Sequence, residues 1–302
     1  MAQQKPPKGD HRPVFRRRPL AGLGMLLLAG SGLGGVVACG SGADDDAASS
    51  SATVAAPATA PVAESHMNHG GPAGEGEGAG TGAVSLASNT VAYLSQLNLI
   101  RGHLNVGVDL YRNDHVEEAL THMKHPGDEL YAALLPAFEA RGVAGFAEQL
   151  QALMDAVKAR QPANRVQAAF DDLQEGIDDA AAGIPKAERS DPRVWFAVVV
   201  QLMTTAADEY AIAVVDGRLE SAHEYQDALG FTRVARRIVD DLAAGDRADD
   251  PAVQRVVATA REQLDGIQVL WVGLIPPETL EREASTLYGA AARVELAASA
   301  LR

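Results

Sequence analysis

The chain has almost no cysteine: Cys39 is the only one in 302 residues. No intrachain disulfide can form, so a folded body must rest on packing alone. Aromatic residues are scarce at 5%. Basic residues are outnumbered, 26 Lys and Arg against 40 Asp and Glu, for a formal net charge of −14. Six of those bases (Lys5, Lys8, Arg12, Arg16, Arg17, Arg18) and only one acid (Asp10) precede residue 39, so the remainder is more acidic still. A body of that sign is repelled by phosphates, which argues against nucleic acid as a partner, and it weakly attracts cations. Apolar–polar alternation of strand length is missing. So is Gly-x-Ser-x-Gly, and His223-Glu224 is followed by Asp227 where a zinc protease has its second histidine. The expectation is therefore a protein that is not an enzyme.

What is present is a large apolar fraction, 47%, in which alanine dominates many segments. That composition favours helices packed closely through small side chains. Helical periodicity predicts segments over 90–112, 115–140 (broken at Pro126), 144–160, 163–182, 192–216, 218–245, 251–267 and 278–301. The fold class expected is all-α, two four-helix bundles after a disordered N-terminal tether. Offsetting the chain by 103 residues aligns Tyr111–Glu117 with Val214–Glu220, so that the turns at Asn113-Asp114 and Asp216-Gly217 coincide. This layout suggests an internal duplication, with bundles over 86–186 and 187–302.

The N-terminus has the layout of an export signal: a basic cluster ending at Arg18, an apolar stretch from Leu20 to Ala38, then Cys39. Residues 40–85 are Gly, Ala, Ser, Thr, Pro and acids, too polar to bury a core, and read as a tether. One feature interrupts them, His66-Met67-Asn68-His69. Imidazole beside thioether suits copper; an incidental polar patch is the alternative.

Four of the eight histidines, at 103, 115, 122 and 125, crowd into a single predicted hairpin. Folding it antiparallel about Asn113-Asp114 places His103 opposite about position 124, near His122, Met123 and His125. Glu118 lies one turn from His122 on the second helix. Three imidazoles and a carboxylate suit zinc, iron or copper. Glu129 is a further candidate oxygen donor, whereas His115 sits too far along the helix to join. The second half offers Glu220-x-x-His223, the spacing used in di-iron bundles, as a separate candidate. For both sets a solvated polar stripe is the competing reading.

Val36-Val37-Ala38-Cys39 resembles the lipobox of bacterial lipoproteins. That resemblance implies cleavage before Cys39, acylation of its thiol (palmitate among the chains) and membrane attachment. Gly40 after the cysteine implies the periplasmic face of the outer membrane. Arg17-Arg18-Pro19-Leu20 also looks like a twin-arginine export signal. A duplicated pair of helical bundles on an exported lipoprotein, with Gly102-His103, resembles the imelysin superfamily of iron-regulated envelope proteins. That family's signature is Gly-x-His-x-x-Glu; here Gly102 adjoins His103 and Val106 stands where glutamate is expected, so no residue role is carried over.

Together these readings describe an envelope lipoprotein that binds or delivers a transition metal. The alternative is a structural or interaction lipoprotein whose bundles dock an envelope protein. Mass spectrometry of the membrane-extracted protein is expected to find Cys39 acylated and Met1–Ala38 absent. An unmodified Cys39 within an intact N-terminus would overturn this.

Overall fold

A computed structural model describes residues 86–301, apart from the side chains of Asp128 and Glu129. The expected signal segment, Cys39 and the tether with His66, Met67 and His69 lie outside the described residues. The described part is helical almost throughout. It comprises α1 (Thr90–Arg112), α2 (Val116–His125), α3 (Tyr131–Arg141), α4 (Ala147–Lys158), α5 (Ala163–Ala182), the single turn α6 (Lys186–Arg189), α7 (Pro192–Ala213), α8 (Ala222–Ala244), α9 (Pro251–Gly266) and α10 (Ser285–Ala298).

Local chemistry sets the boundaries. The Asn89 side chain accepts from Ala92 N at 2.9 Å to cap α1, and Asp191, Ser221 and Asp250 cap α7, α8 and α9 in the same way. Each of these oxygens satisfies an amide that the first helical turn leaves without a partner. Pro192 and Pro251 open their helices, where no amide hydrogen is needed. Gly142, in the left-handed region at φ 67°, ends α3.

Three details differ from the sequence reading. At Pro126 the chain does not break away; a π-helical turn over Pro126–Leu130 carries it into α3, the wider turn absorbing the amide that proline lacks. α7 ends at Ala213, and Val214–Val215 pair antiparallel with Arg218–Leu219 as β1 and β2. Asp216 and Gly217 both have positive φ, 52° and 76°, the geometry of a tight hairpin turn that Asp-Gly favours, preceded by two β-branched valines. The last helix starts at Ser285, not 278: Pro276-Pro277 keep the preceding stretch extended, and Leu219 N and Leu280 N bond Glu278 O and Gly217 O at 3.0 and 2.9 Å.

The two helical sets share one apolar core. α1 is its centre, packed against α2 and α5 of its own half and against α7 and α8 of the other. It is buried along nearly its whole length, including Gln96, Arg101 and His103. α1 and α8 cross at a pair of glycines. A Cβ on Gly230 would sit 2.5 Å from the Gly102 carbonyl oxygen, and one on Gly102 would sit 2.4 Å from Phe231. Gly107 gives α2 similar access, with His122 Cβ and Met123 Cγ 3.3 Å from where its own Cβ would be. This close approach brings side chains from α1, α2 and α8 to one point.

Gly230→Ala should force the crossing apart and cost about 1–3 kcal/mol, the usual penalty of overpacking. Gly266→Ala, where an added methyl meets nothing within 4 Å, should leave stability unchanged or slightly raised. Denaturant midpoints of the two variants test this; equal midpoints would refute the tight crossing.

Candidate metal centre

Three helices supply the centre. α1 contributes His103; α2 contributes His122 and His125 from its last turn; α8 contributes His223, Glu224, Gln226 and Asp227 from its first turns. On α2 the residues at 122 and 125 are three apart and share a face, and on α8 those at 223 and 227 are four apart and do the same. His103, His122 and Asp227 are buried.

Asp227 is the hub. Its Oδ1 accepts from His103 Nδ1 at 2.6 Å and from His122 Nδ1 at 2.9 Å. Both rings therefore carry a proton on Nδ1, since an ionised carboxylate only accepts. The Gln226 amide donates to the Leu274 carbonyl at 3.1 Å, which turns its Oε1 toward His122 Nε2 at 2.8 Å. His122 thus has an oxygen within hydrogen-bond distance at each ring nitrogen. Burial alone would push the Asp227 carboxyl up, but the adjacent His103 and His122 outweigh it and hold the group well below the usual carboxylate range.

His223 closes the cluster. Its ring stacks on His122, centroids 4.2 Å apart and planes 18° from parallel. Its Nδ1 donates to Glu224 Oε2 at 3.1 Å and lies 3.3 Å from Asp227 Oδ2. Burial pushes its pKa down, but the Glu224 hydrogen bond and the charges of Asp227 and Glu224 outweigh this, so it stands above the ordinary histidine value. His125 packs edge-on against His103, centroids 5.0 Å apart, and Phe231 meets the same ring at 88° and 5.0 Å.

Two buried atoms of the cluster, His223 Nε2 and Asp227 Oδ2, lack a hydrogen-bond partner. A buried polar atom without a partner costs stability, and a cation beside Asp227 Oδ2, which His223 Nδ1 faces at 3.3 Å, would satisfy that oxygen. The ligating atoms of His103, His122 and Asp227 lie within 4.8 Å of one another, as do those of His223, Glu224 and Asp227. Imidazole and carboxylate together fit zinc, iron or copper. An ion with bonds of about 2.0–2.2 Å would take the place of the protons now shared with Asp227, so its uptake releases protons.

The convergence of His103, His122 and His125 expected from the hairpin is present. Glu118 does not join them; it is half exposed and faces His115, Nδ1 to Oε1 3.6 Å. His223 belongs to the same cluster as the hairpin histidines rather than to a second site. Glu220, its expected companion, is exposed at the end of β2. Met123 is core, packed under Gly107. Sequence reasoning missed Gln226 and Asp227. The signal for Asp227 was its four-residue spacing from His223, which marks one face of α8.

In the ion-free protein, Asp227→Ala should cost about 3–5 kcal/mol, the price of breaking a buried charge pair, whereas Glu118→Ala should fall within about 0.5 kcal/mol. The pH dependence has a defined sign. A carboxylate held below its unfolded value near 3.9 contributes stability that is complete above that value and is lost as pH falls through the folded one. Wild type should therefore lose more stability than Asp227→Asn between about pH 5 and pH 2. Parallel acid profiles would refute the charge pair.

Residues 185–301 match the family model described as an iron permease-associated 4-helix bundle domain. The match takes in α6 to α10, and so His223 and Asp227, but stops short of His103, His122 and His125. No curated protein and no solved structure matches the chain.

Proposed function

We propose that this protein is a cell-envelope lipoprotein, held to the membrane by lipid on Cys39, that binds a transition metal ion and hands it to an envelope partner. The observation that carries the reading is the cluster of His103, His122, His125, His223 and Asp227, buried except at the partly exposed His223, which is drawn from three helices and leaves Asp227 Oδ2 without a hydrogen bond. The ion is cargo on this reading, and the protein binds rather than transforms. A domain whose description ties it to iron permeases supports iron as the first ion to test and a permease as the kind of partner. The histidine-rich donor set also suits copper and zinc.

Calorimetric titration of the full chain with Fe(II), Cu(II) and Zn(II) tests this in a background where His66, Met67 and His69 are alanine. At least one ion should bind more tightly than about 10 µM. His103→Ala and His122→Ala, nineteen residues apart on different helices, should each weaken it by more than about tenfold, and Glu118→Ala should not. Failure of all three ions, or binding indifferent to His103→Ala, would replace metal handling with the reading of a protein-docking module.

A further inference from the structure

The two carboxylate oxygens of Asp227 face different partners. Oδ1 is saturated by His103 and His122. Oδ2 has no hydrogen bond and lies 3.3 Å from His223 Nδ1, and that ring holds Glu224 at 3.1 Å. Two groups of three potential ligands therefore share one residue: His103 and His122 with Asp227, and His223 and Glu224 with Asp227. The stacked rings of His122 and His223, one from each group, set the groups side by side. The unpartnered oxygen, Asp227 Oδ2, is the one that faces the second group, through His223 Nδ1.

We propose that the centre holds two ions, with Asp227 as the carboxylate common to both. This rests on the metal-binding reading above. The inner ion is held by His103 and His122 at side chains sealed from solvent, 0% exposed. The outer ion is held by His223 and Glu224, whose side chains are 23% and 16% exposed. Two cations side by side repel, and a second position is tenable only with extra negative charge. Glu224 supplies it. A carboxylate placed between paired ions is how proteins hold two metals at short range. The difference in exposure gives the positions different roles: an ion arrives at and leaves from the outer one, while the inner one exchanges slowly.

The test uses the full chain with His66, Met67 and His69 replaced by alanine. Native mass spectrometry with Zn(II) is expected to show two equivalents in this parent and one in Glu224→Gln. The remaining equivalent should keep an affinity within roughly threefold of the parent's tighter site. Titration with Cu(II), followed by electron paramagnetic resonance, should give a signal at two equivalents well below twice that at one, because the shared carboxylate couples the spins. Circular dichroism checks that Glu224→Gln is folded; its altered group is partly exposed, and the Ser221 cap of α8 bonds its backbone rather than its carboxylate. A single equivalent in the parent, lost with His103→Ala, would overturn the two-ion centre and leave the metal-binding reading standing. A second equivalent that persists in both Glu224→Gln and His223→Ala would also overturn it. No binding at all would remove both readings.

Discussion

The burial of Asp227 is the constraint around which the rest is arranged. Taking a carboxylate out of water costs several kcal/mol unless donors replace the lost hydration. Here the donors come from α1 and α2, while the carboxylate comes from α8. Meeting that need requires α1 and α8 to touch backbone to backbone, which Gly102 and Gly230 allow. It also requires α2 to lie close on α1, which Gly107 allows. Phe231, one turn beyond Asp227, packs its edge against the His103 ring and holds it toward the carboxylate. The Leu274 carbonyl fixes Gln226 and through it the second nitrogen of His122. Each contact is ordinary, and together they over-determine the position of one oxygen atom.

The helices and turns were legible because their causes are local. Asp191-Pro192 and Asp250-Pro251 announce helix starts, and Asn113-Asp114 and Asp216-Gly217 announce turns; Ser221 was not read as a start, and α8 begins after it rather than at 218. The convergence of His103 with His122 and His125 was legible for the same reason: a two-residue turn fixes the register of a hairpin. Glu118 shows where local reasoning ends. It lies on the expected stripe of α2, but one turn nearer the hairpin tip, where solvent reaches it and His115 is its neighbour. Asp227 was not legible as a partner, since it lies 124 residues from His103 and no periodicity within either helix reports on the other. The glycines at 102 and 230 were the only trace of the crossing, and a glycine inside a helix has several causes.

The matched segment and the cluster do not coincide. Residues 185–301 carry the carboxylates and one imidazole, while α1 and α2, outside the match, carry the other three imidazoles. The histidine–aspartate arrangement is therefore a property of the two helical sets packed on one core. It cannot be assigned to the four-helix domain by itself. The first half adds donors to a face that the second half presents.

The sequence distance between His103 and Asp227 also orders events in time. Contacts between residues far apart in the chain form late, because the entropy of closing the intervening loop must be met first. Helices α1 to α6 can be synthesised and collapse before α8 exists, and in that interval His103 and His122 have no carboxylate between them. A nascent chain therefore has histidines but no assembled pocket, and any ion it meets can be held only loosely. On the proposed metal-binding reading, selective loading belongs to the completed chain, after the last long-range pairing has closed.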